Sequence, residues 1–178
     1  MSSIYPPILV KRVSSEAKLP ERANPTDSGL DVFAYSIEKY FDKDNNSLAL
    51  PQGFIDIWKN EESSLILKPN ERVLIGTGLM ATVGPGFEIQ VRPRSGLALK
   101  KGLTVLNAPG TVDESYRNMI GVILINHSGE DQTIKYKEKI AQLVICPVIL
   151  SEVKEVTDLS DTIRGLGGFG STDVKQST

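Results

Sequence analysis

The sequence predicts an all-β protein, a barrel or a sandwich. Three observations carry that expectation. Several short segments alternate apolar with polar residues, turn residues recur between them, and no long segment shows the helical period with a cap at each end.

Along the chain, residues 41 to 64 run Phe41-Asp42-Lys43-Asp44-Asn45-Asn46-Ser47, then Phe54-Ile55-Asp56-Ile57-Trp58, then a polar stretch; they read as a surface excursion carrying a small apolar cluster. Val73 and Ile75 lead into the turn Gly76-Thr77-Gly78, and Gly84-Pro85-Gly86 marks another turn. After it, Phe87, Ile89 and Val91 interleave with Glu88, Gln90 and Arg92, as in a strand with one face in the core. Ser95 to Lys101 is the one helix candidate, with Ser95 as its cap and Gly96 and Gly102 limiting it to about two turns. Met119 to Asn126 and Ile140 to Leu150 are more continuously apolar. Their β-branched residues and flanking turns favour strands buried on both faces over short buried helices. From Ser160 the chain offers little to a core, and the glycines at 165, 167, 168 and 170 make a mobile arm. The expected organisation is one β domain over residues 1–160, with 41–64 as an insertion, and a flexible C-terminal arm over 161–178.

A chain of 178 residues with 40% hydrophobic and 24% charged residues suits one folded domain. Its net charge of -2 argues against a general nucleic-acid binder, which needs basic surplus to displace counterions, but leaves a small polyphosphate as a ligand. Cys146 has no partner for a disulfide and reads as a buried small hydrophobe; the one histidine, His127, sits in a polar turn, which disfavours a Cys-His nucleophile. No apolar stretch approaches the ~20 residues that cross a bilayer. Met1 to Pro20 includes Lys11, Arg12 and Lys18 and lacks the apolar centre of a signal peptide, so a cytoplasmic protein without membrane contact is expected.

Three segments carry chemistry. Arg92-Pro93-Arg94-Ser95-Gly96-Leu97 joins a strand to a helix start, where free amides, a hydroxyl and guanidinium groups can face an anion; solvated arginines beside a capped helix are the bland alternative. Asn107 to Arg117 gathers an amide, the carboxylate of Asp113 and the ring of Tyr116 in one loop. A carboxylate can activate water and a ring can pack on a sugar, although aspartate also serves turns for local reasons. Gly165-Leu166-Gly167-Gly168-Phe169-Gly170 satisfies the dinucleotide pattern Gly-x-Gly-x-x-Gly, but a dinucleotide turn needs a buried strand before it, a helix after it and an acidic residue about 20 positions on, and that context is not met. It reads better as an arm whose amides, with Arg164, Ser171 and Thr172, wrap phosphates while Phe169 stacks on a base, or else as a disordered terminus.

These segments overlap five ordered motifs that resemble the trimeric dUTPase family. They are Thr26-Asp27-Ser28-Gly29-Leu30-Asp31-Val32, Arg92 to Ala98, Gly110-Thr111-Val112-Asp113-Glu114-Ser115-Tyr116-Arg117, Ile140-Ala141-Gln142-Leu143, and Arg164 to Thr172. The resemblance implies a jelly-roll-like β-barrel of the β-clip type, a homotrimer with active sites at subunit interfaces, and hydrolysis of dUTP to dUMP and pyrophosphate. That reaction keeps uracil out of DNA and supplies dUMP for thymidylate synthesis. By the same resemblance Asp113 activates the water that attacks the α-phosphorus, and Tyr116 lies under the deoxyribose where a 2′-hydroxyl has no room. Asn107 and the hairpin backbone around Gly110 and Val112 read uracil and exclude a thymine methyl group. Ser95, Gly96 and Gln142 hold the α- and β-phosphates, Arg164 holds the γ-phosphate, Phe169 stacks on uracil, and Gly170 and Ser171 bind substrate. Asp31 and Arg94 steady the site through a mutual ion pair. Mg²⁺ is implied as cofactor, held by substrate phosphates and water with no direct protein ligand.

The sequence departs from the family pattern at Ser28, Asn118 and Asp173, and in the length of residues 41 to 64. A related deaminase activity is disfavoured because its catalytic glutamate falls at Ile123, which cannot carry protons. A regulatory protein that kept the fold and lost turnover is a second rival; the presence of Asp113, Tyr116, Arg164 and Phe169 argues against it.

Overall fold

A computed structural model describes residues 6–49, 58, 60 and 62–167. Its strands are antiparallel. One sheet has the order β10 (Gly110–Val112), β8 (Phe87–Arg92), β13 (Lys139–Pro147), β2 (Leu30–Phe33). A second has the order β4 (Ser47–Leu48), β3 (Ser36–Phe41), β6 (Arg72–Gly76), β11 (Gly121–Asn126), β9 (Leu103–Val105). Two ribbons complete it, β1 (Leu9–Arg12) with β7 (Leu79–Thr82) and β5 (Ser64–Leu67) with β12 (Gln132–Lys135). The ladder is thus divided into four sheets rather than closed into one continuous barrel.

The alternation read from Phe87 to Arg92 is realised: Ile89 and Val91 are buried while Glu88, Gln90 and Arg92 face outward. One core cluster draws on both large sheets, with Val32, Ile89 and Leu143 from the first and Val73, Ile75 and Leu124 from the second. Each such side chain contributes about 1.5–3 kcal/mol on burial. Asn126, fully buried at the end of β11, donates from Nδ2 to Leu67 O and Glu130 O, both at 2.8 Å, and so ties β11 to the β5–β12 ribbon without an unpaired polar group.

Three local expectations change. The helix α1 (Ser95–Lys101) forms where expected, but its N-cap is Arg94 in extended conformation and makes no side-chain cap bond, because Ser95 is already the first helical residue. Gly102 ends the helix at φ 62°, a left-handed conformation that glycine adopts without a Cβ clash. Strands β11 and β13 are not buried on both faces: Ile123, Ile125, Val144 and Ile145 are half-buried, since the second face of each strand has no complete cover. Cys146 is likewise half-buried, and its sulfur accepts from Arg92 Nη2 at 3.3 Å.

Within 41–64, β4 folds back on β3 through a turn in which Asp42 accepts from the Asn46 amide. Trp58 is buried with its ring edge-on to Tyr136, and Phe54 to Ile57 lie outside the described residues. From Val148 to Gly167 the chain has no strand or helix, and Ile149, Leu150, Val153, Leu159, Ile163 and Leu166 are exposed. No helix among the described residues is long and apolar enough to cross a membrane.

Candidate active site

The sheet β8–β13–β2 brings three distant segments to one edge. Gln142 on β13 pairs with Arg92 on one side and Asp31 on the other, so Asp31, Gln142 and the Pro93–Gly96 turn converge. Asp31, Arg94, Ser95, Gly96 and Gln142 line an open cavity of about 370 Å³ together with Asp27, Ser28 and Gly29. Gln142 Nε2 donates to Pro93 O at 2.9 Å, fixing the chain as it enters α1. The expected ion pair is present, with Arg94 Nε donating to Asp31 Oδ1 at 2.9 Å. Arg94 Nη1 also donates to Lys139 O at 3.2 Å, which leaves Nη2 without a protein partner among the described residues. The first-turn amides of Ser95 and Gly96 have no acceptor within the helix. Such a set of donors suits a phosphate chain.

A second hollow, about 170 Å³, lies beside the loop that joins β9 to β10, where β10 pairs with β8 and β9 with β11. Asn107, Gly110, Thr111, Val112 and Tyr116 line it with Val91, Ile120 and Gly121. Gly110 pairs with Val91. A Cβ at Gly110 would lie 3.2 Å from Asn107 Nδ2 and 3.3 Å from Val91 Cβ, tighter than side chains normally pack. The Tyr116 hydroxyl donates to Met119 O at 3.0 Å, and the Tyr116 amide to Asp113 O at 3.0 Å, so the ring is held at both ends of its loop. Thr82 Oγ1 donates to Glu114 O at 2.9 Å and anchors the same loop to β7.

The two cavities share no lining residue. Asp113 is exposed and lines a third hollow with Phe87, Glu88, Glu114, Ser115, Val148 and Leu150. One chain therefore brings together Asp31, Arg94, Ser95, Gly96 and Gln142, and separately Asn107, Gly110, Val112 and Tyr116. Arg164 is exposed on the segment after β13 and lines neither cavity; Phe169, Gly170 and Ser171 lie outside the described residues. Sequence reasoning missed Lys139 and Glu21. Lys139 Nζ contacts Asp31 Oδ2 at 3.0 Å and Glu21 Oε1 at 2.8 Å, and hydrogen bonds to Glu21 and then Asp31 hold its ammonium above the ordinary lysine range. The available signal was its place immediately before Ile140-Ala141-Gln142-Leu143.

The dUTPase family model matches residues 60–173. This chain belongs to the dUTPase family. The deoxyuridine 5′-triphosphate nucleotidohydrolase of Clostridium acetobutylicum is 44% identical over 167 residues, covering 94% of this chain and 97% of that one. The protein of the same name from Nautilia profundicola is 61% identical over 108 residues, covering 61% of this chain and 76% of its own. Among solved structures, a mutant dUTPase of Staphylococcus bacteriophage 80alpha with dUpNHpp superposes at a TM-score of 0.69 with 24% identity, covering 93% of this chain and 98% of that one. A mutant dUTPase of phage phi11 of S. aureus, described as coordinating a structural Mg(II) ion, superposes at 0.64 with 22% identity, covering 87% and 99%. The fold is thus the jelly-roll-like all-β fold of dUTPases, with one short helix.

Proposed function

We propose that this dUTPase-family protein hydrolyses dUTP to dUMP and pyrophosphate, acting on free nucleotide in the cytoplasm. Its nucleotidohydrolase relatives over nearly the whole chain support the reaction. The observation that carries the reading to residues is the presence, on one chain, of a charged cavity at Arg94 and a separate hollow at Asn107 walled by the loop between β9 and β10. The hollow takes uracil and deoxyribose: Asn107 and the backbone at Gly110 and Val112 meet the base, and Tyr116 lies against the sugar. The cavity takes the phosphates through Ser95, Gly96, Gln142 and the free edge of Arg94. Asp113 accepts a proton from water as the new oxygen–phosphorus bond forms at the α-phosphorus and the bond to the bridging oxygen breaks, releasing pyrophosphate.

Because the two cavities are distinct, the full site forms where copies meet, one copy giving the phosphate groups and another the nucleoside hollow, in a homotrimer. The exposed apolar residues between Ile149 and Leu166 favour the same assembly, since in one chain alone they are left in water. The segment from Arg164 to Ser171 then closes over the nucleotide, Arg164 on the γ-phosphate and Phe169 on the base.

Mg²⁺ suits this donor set as an ion carried by substrate. Both Asp31 oxygens already face cations, Asp27 accepts from Asn24, and among the described residues no three His, Cys, Asp or Glu side chains stand together. Ser95, Gly96, Gln142 and Arg164 would hold the phosphates that bring it. When bound, it neutralises phosphate charge at the reacting centre.

The test is pyrophosphate release from dUTP, dCTP, dTTP and UTP with and without Mg²⁺, with the nucleotide products separated. Metal-dependent release from dUTP alone, giving dUMP, is expected. Binding of dUTP with no release would make the protein a nucleotide sensor on a dUTPase fold.

A further inference from the structure

We infer that Lys139, gripped by Glu21, is a positioning residue for the phosphate cavity, holding the Asp31 carboxylate so that Arg94 turns its free guanidinium edge toward substrate. This rests on the functional reading of that cavity given above.

Lys139 holds both members of the Asp31–Arg94 pair. Its ammonium takes Asp31 Oδ2 at 3.0 Å, and its own carbonyl accepts from Arg94 Nη1 at 3.2 Å. Asp31 Oδ1 faces Arg94 Nε at 2.9 Å, so each carboxylate oxygen has a separate cation and the plane of the carboxylate is fixed. A carboxylate held at one oxygen alone is free to rotate about its last torsion, and the guanidinium it orients rotates with it.

Glu21 closes the arrangement from outside. Its backbone exchanges hydrogen bonds with that of Asp31, at 2.7 Å and 3.2 Å, and its carboxylate takes Lys139 Nζ at 2.8 Å. The register of β13 against β2 shifts between Lys139 and Ala141, an irregularity of the kind that re-aims a side chain at a sheet edge. Lys139 Nζ also stands 5.8 Å from the Phe33 ring centroid, which limits where the ammonium can go.

The four charges alternate along Glu21, Lys139, Asp31 and Arg94, and they cancel. Replacing Lys139 by a neutral residue leaves a net negative charge beside a cavity already lined by Asp27, where the ligand is a polyanion. Asp31 then draws Arg94 inward, and the cost falls on substrate binding. Lys139 does not itself line the cavity, so it acts through its neighbours.

The test compares Lys139→Met, Lys139→Arg, Glu21→Gln and the Lys139→Met/Glu21→Gln double variant with the full-length parent. The readouts are steady-state pyrophosphate release from dUTP, thermal melting, and calorimetric binding of inorganic tripolyphosphate. Lys139→Met is expected to raise KM about tenfold with kcat within about twofold, and to weaken tripolyphosphate by a similar factor. Lys139→Arg is expected to recover KM to within about twofold of the parent. Glu21→Gln raises KM about twofold alone and adds nothing to Lys139→Met, because residues of one network do not act additively. An unchanged KM and tripolyphosphate affinity in Lys139→Met overturns the inference, as does an arginine variant as impaired as the methionine one. If Lys139→Met does not fold, Glu21→Gln decides, and a KM equal to the parent's overturns it. A parent that binds tripolyphosphate but releases no pyrophosphate from dUTP overturns the functional reading alone, and tripolyphosphate affinity then judges Lys139 by itself.

Discussion

The cavity at Arg94 is lined by charged and amide groups and set by ion pairs that run from Glu21 to Arg94. The hollow at Asn107 is less than half that size, is walled by Val91, Val112 and Ile120, and is set by the backbone of the loop between β9 and β10. The first suits a ligand recognised by charge, whose partners adjust by rotating side chains. The second suits one recognised by shape, where hardly a methyl group of space remains at Gly110. Damage to the first should therefore weaken binding of any triphosphate alike. Damage to the second should alter which nucleoside is accepted.

The largest effect is expected at a residue that belongs to neither. Asp113 is exposed and lines a different hollow, so Asp113→Asn should fold and bind dUTP like the parent while losing about a hundred- to ten-thousandfold in kcat, the range of a general base. Binding is read with a non-hydrolysable dUTP analogue, and turnover by product chromatography. Retention of turnover would remove Asp113 as the base.

Next in size is Tyr116→Ala, which takes one wall from the hollow and leaves the phosphate cavity intact. The preference for dUTP over UTP, read as a ratio of kcat/KM values, should fall by about ten- to a hundredfold. An unchanged ratio would mean that ribose is rejected elsewhere. Gly29→Ala is the matching change in the other cavity. The new Cβ would overlap Gln142 Oε1 and lie 2.9 Å from Gln142 Cδ, so the amide must swing away from Pro93 O. Since that side chain is long and can rotate, the fold should survive with a loss of about 1–2 kcal/mol. KM for both dUTP and UTP should rise about three- to tenfold with their ratio unchanged. A shift in the ratio would show that the cavities are coupled within the chain.

Much of this was legible from residues alone. Alternation over Phe87 to Arg92 and the Gly84-Pro85-Gly86 turn place β8 correctly, and Gly102 ends the helix over Ser95 to Lys101, because periodicity and turn chemistry are local properties. The Asp31–Arg94 pair, distant in sequence, was reached through motif resemblance and is present. What failed depends on tertiary surroundings. Continuous apolar runs at β11 and β13 suggested two buried faces, but a run records only that residues are apolar, not how many layers cover them. Lys139 and Glu21 escaped notice because each resembles an ordinary surface charge until the β13–β2 pairing and the Glu21–Asp31 bridge set them side by side. Arg164 sits apart from both cavities in one chain, so no pattern within the chain places it.

The smallest effect tests the contrast from outside, at a polar contact serving neither cavity. Tyr40 is buried on β3, and its hydroxyl donates to Glu71 and lies 3.1 Å from Ile66 O. Burial, then the Glu71 carboxylate, pushes its pKa well above the ordinary tyrosine value. A folded pKa above the unfolded one means that the contribution is fully present below about pH 10, the unfolded tyrosine value, and falls as pH rises further, because the unfolded chain ionises first. Tyr40→Phe should cost about 1–2 kcal/mol at neutral pH, since Glu71 loses a donor but keeps the Lys68 amide at 2.8 Å. The gap between parent and variant should hold up to about pH 10 and narrow in denaturant melts as pH rises above it, with lysine titration common to both chains and therefore cancelling. KM and the dUTP-to-UTP ratio should stay at parental values throughout the range where both chains are folded. A gap that holds constant with pH would mean that Tyr40 ionises as readily in the fold as outside it, and a changed KM would tie the Tyr40–Glu71 contact to a cavity that neither residue lines.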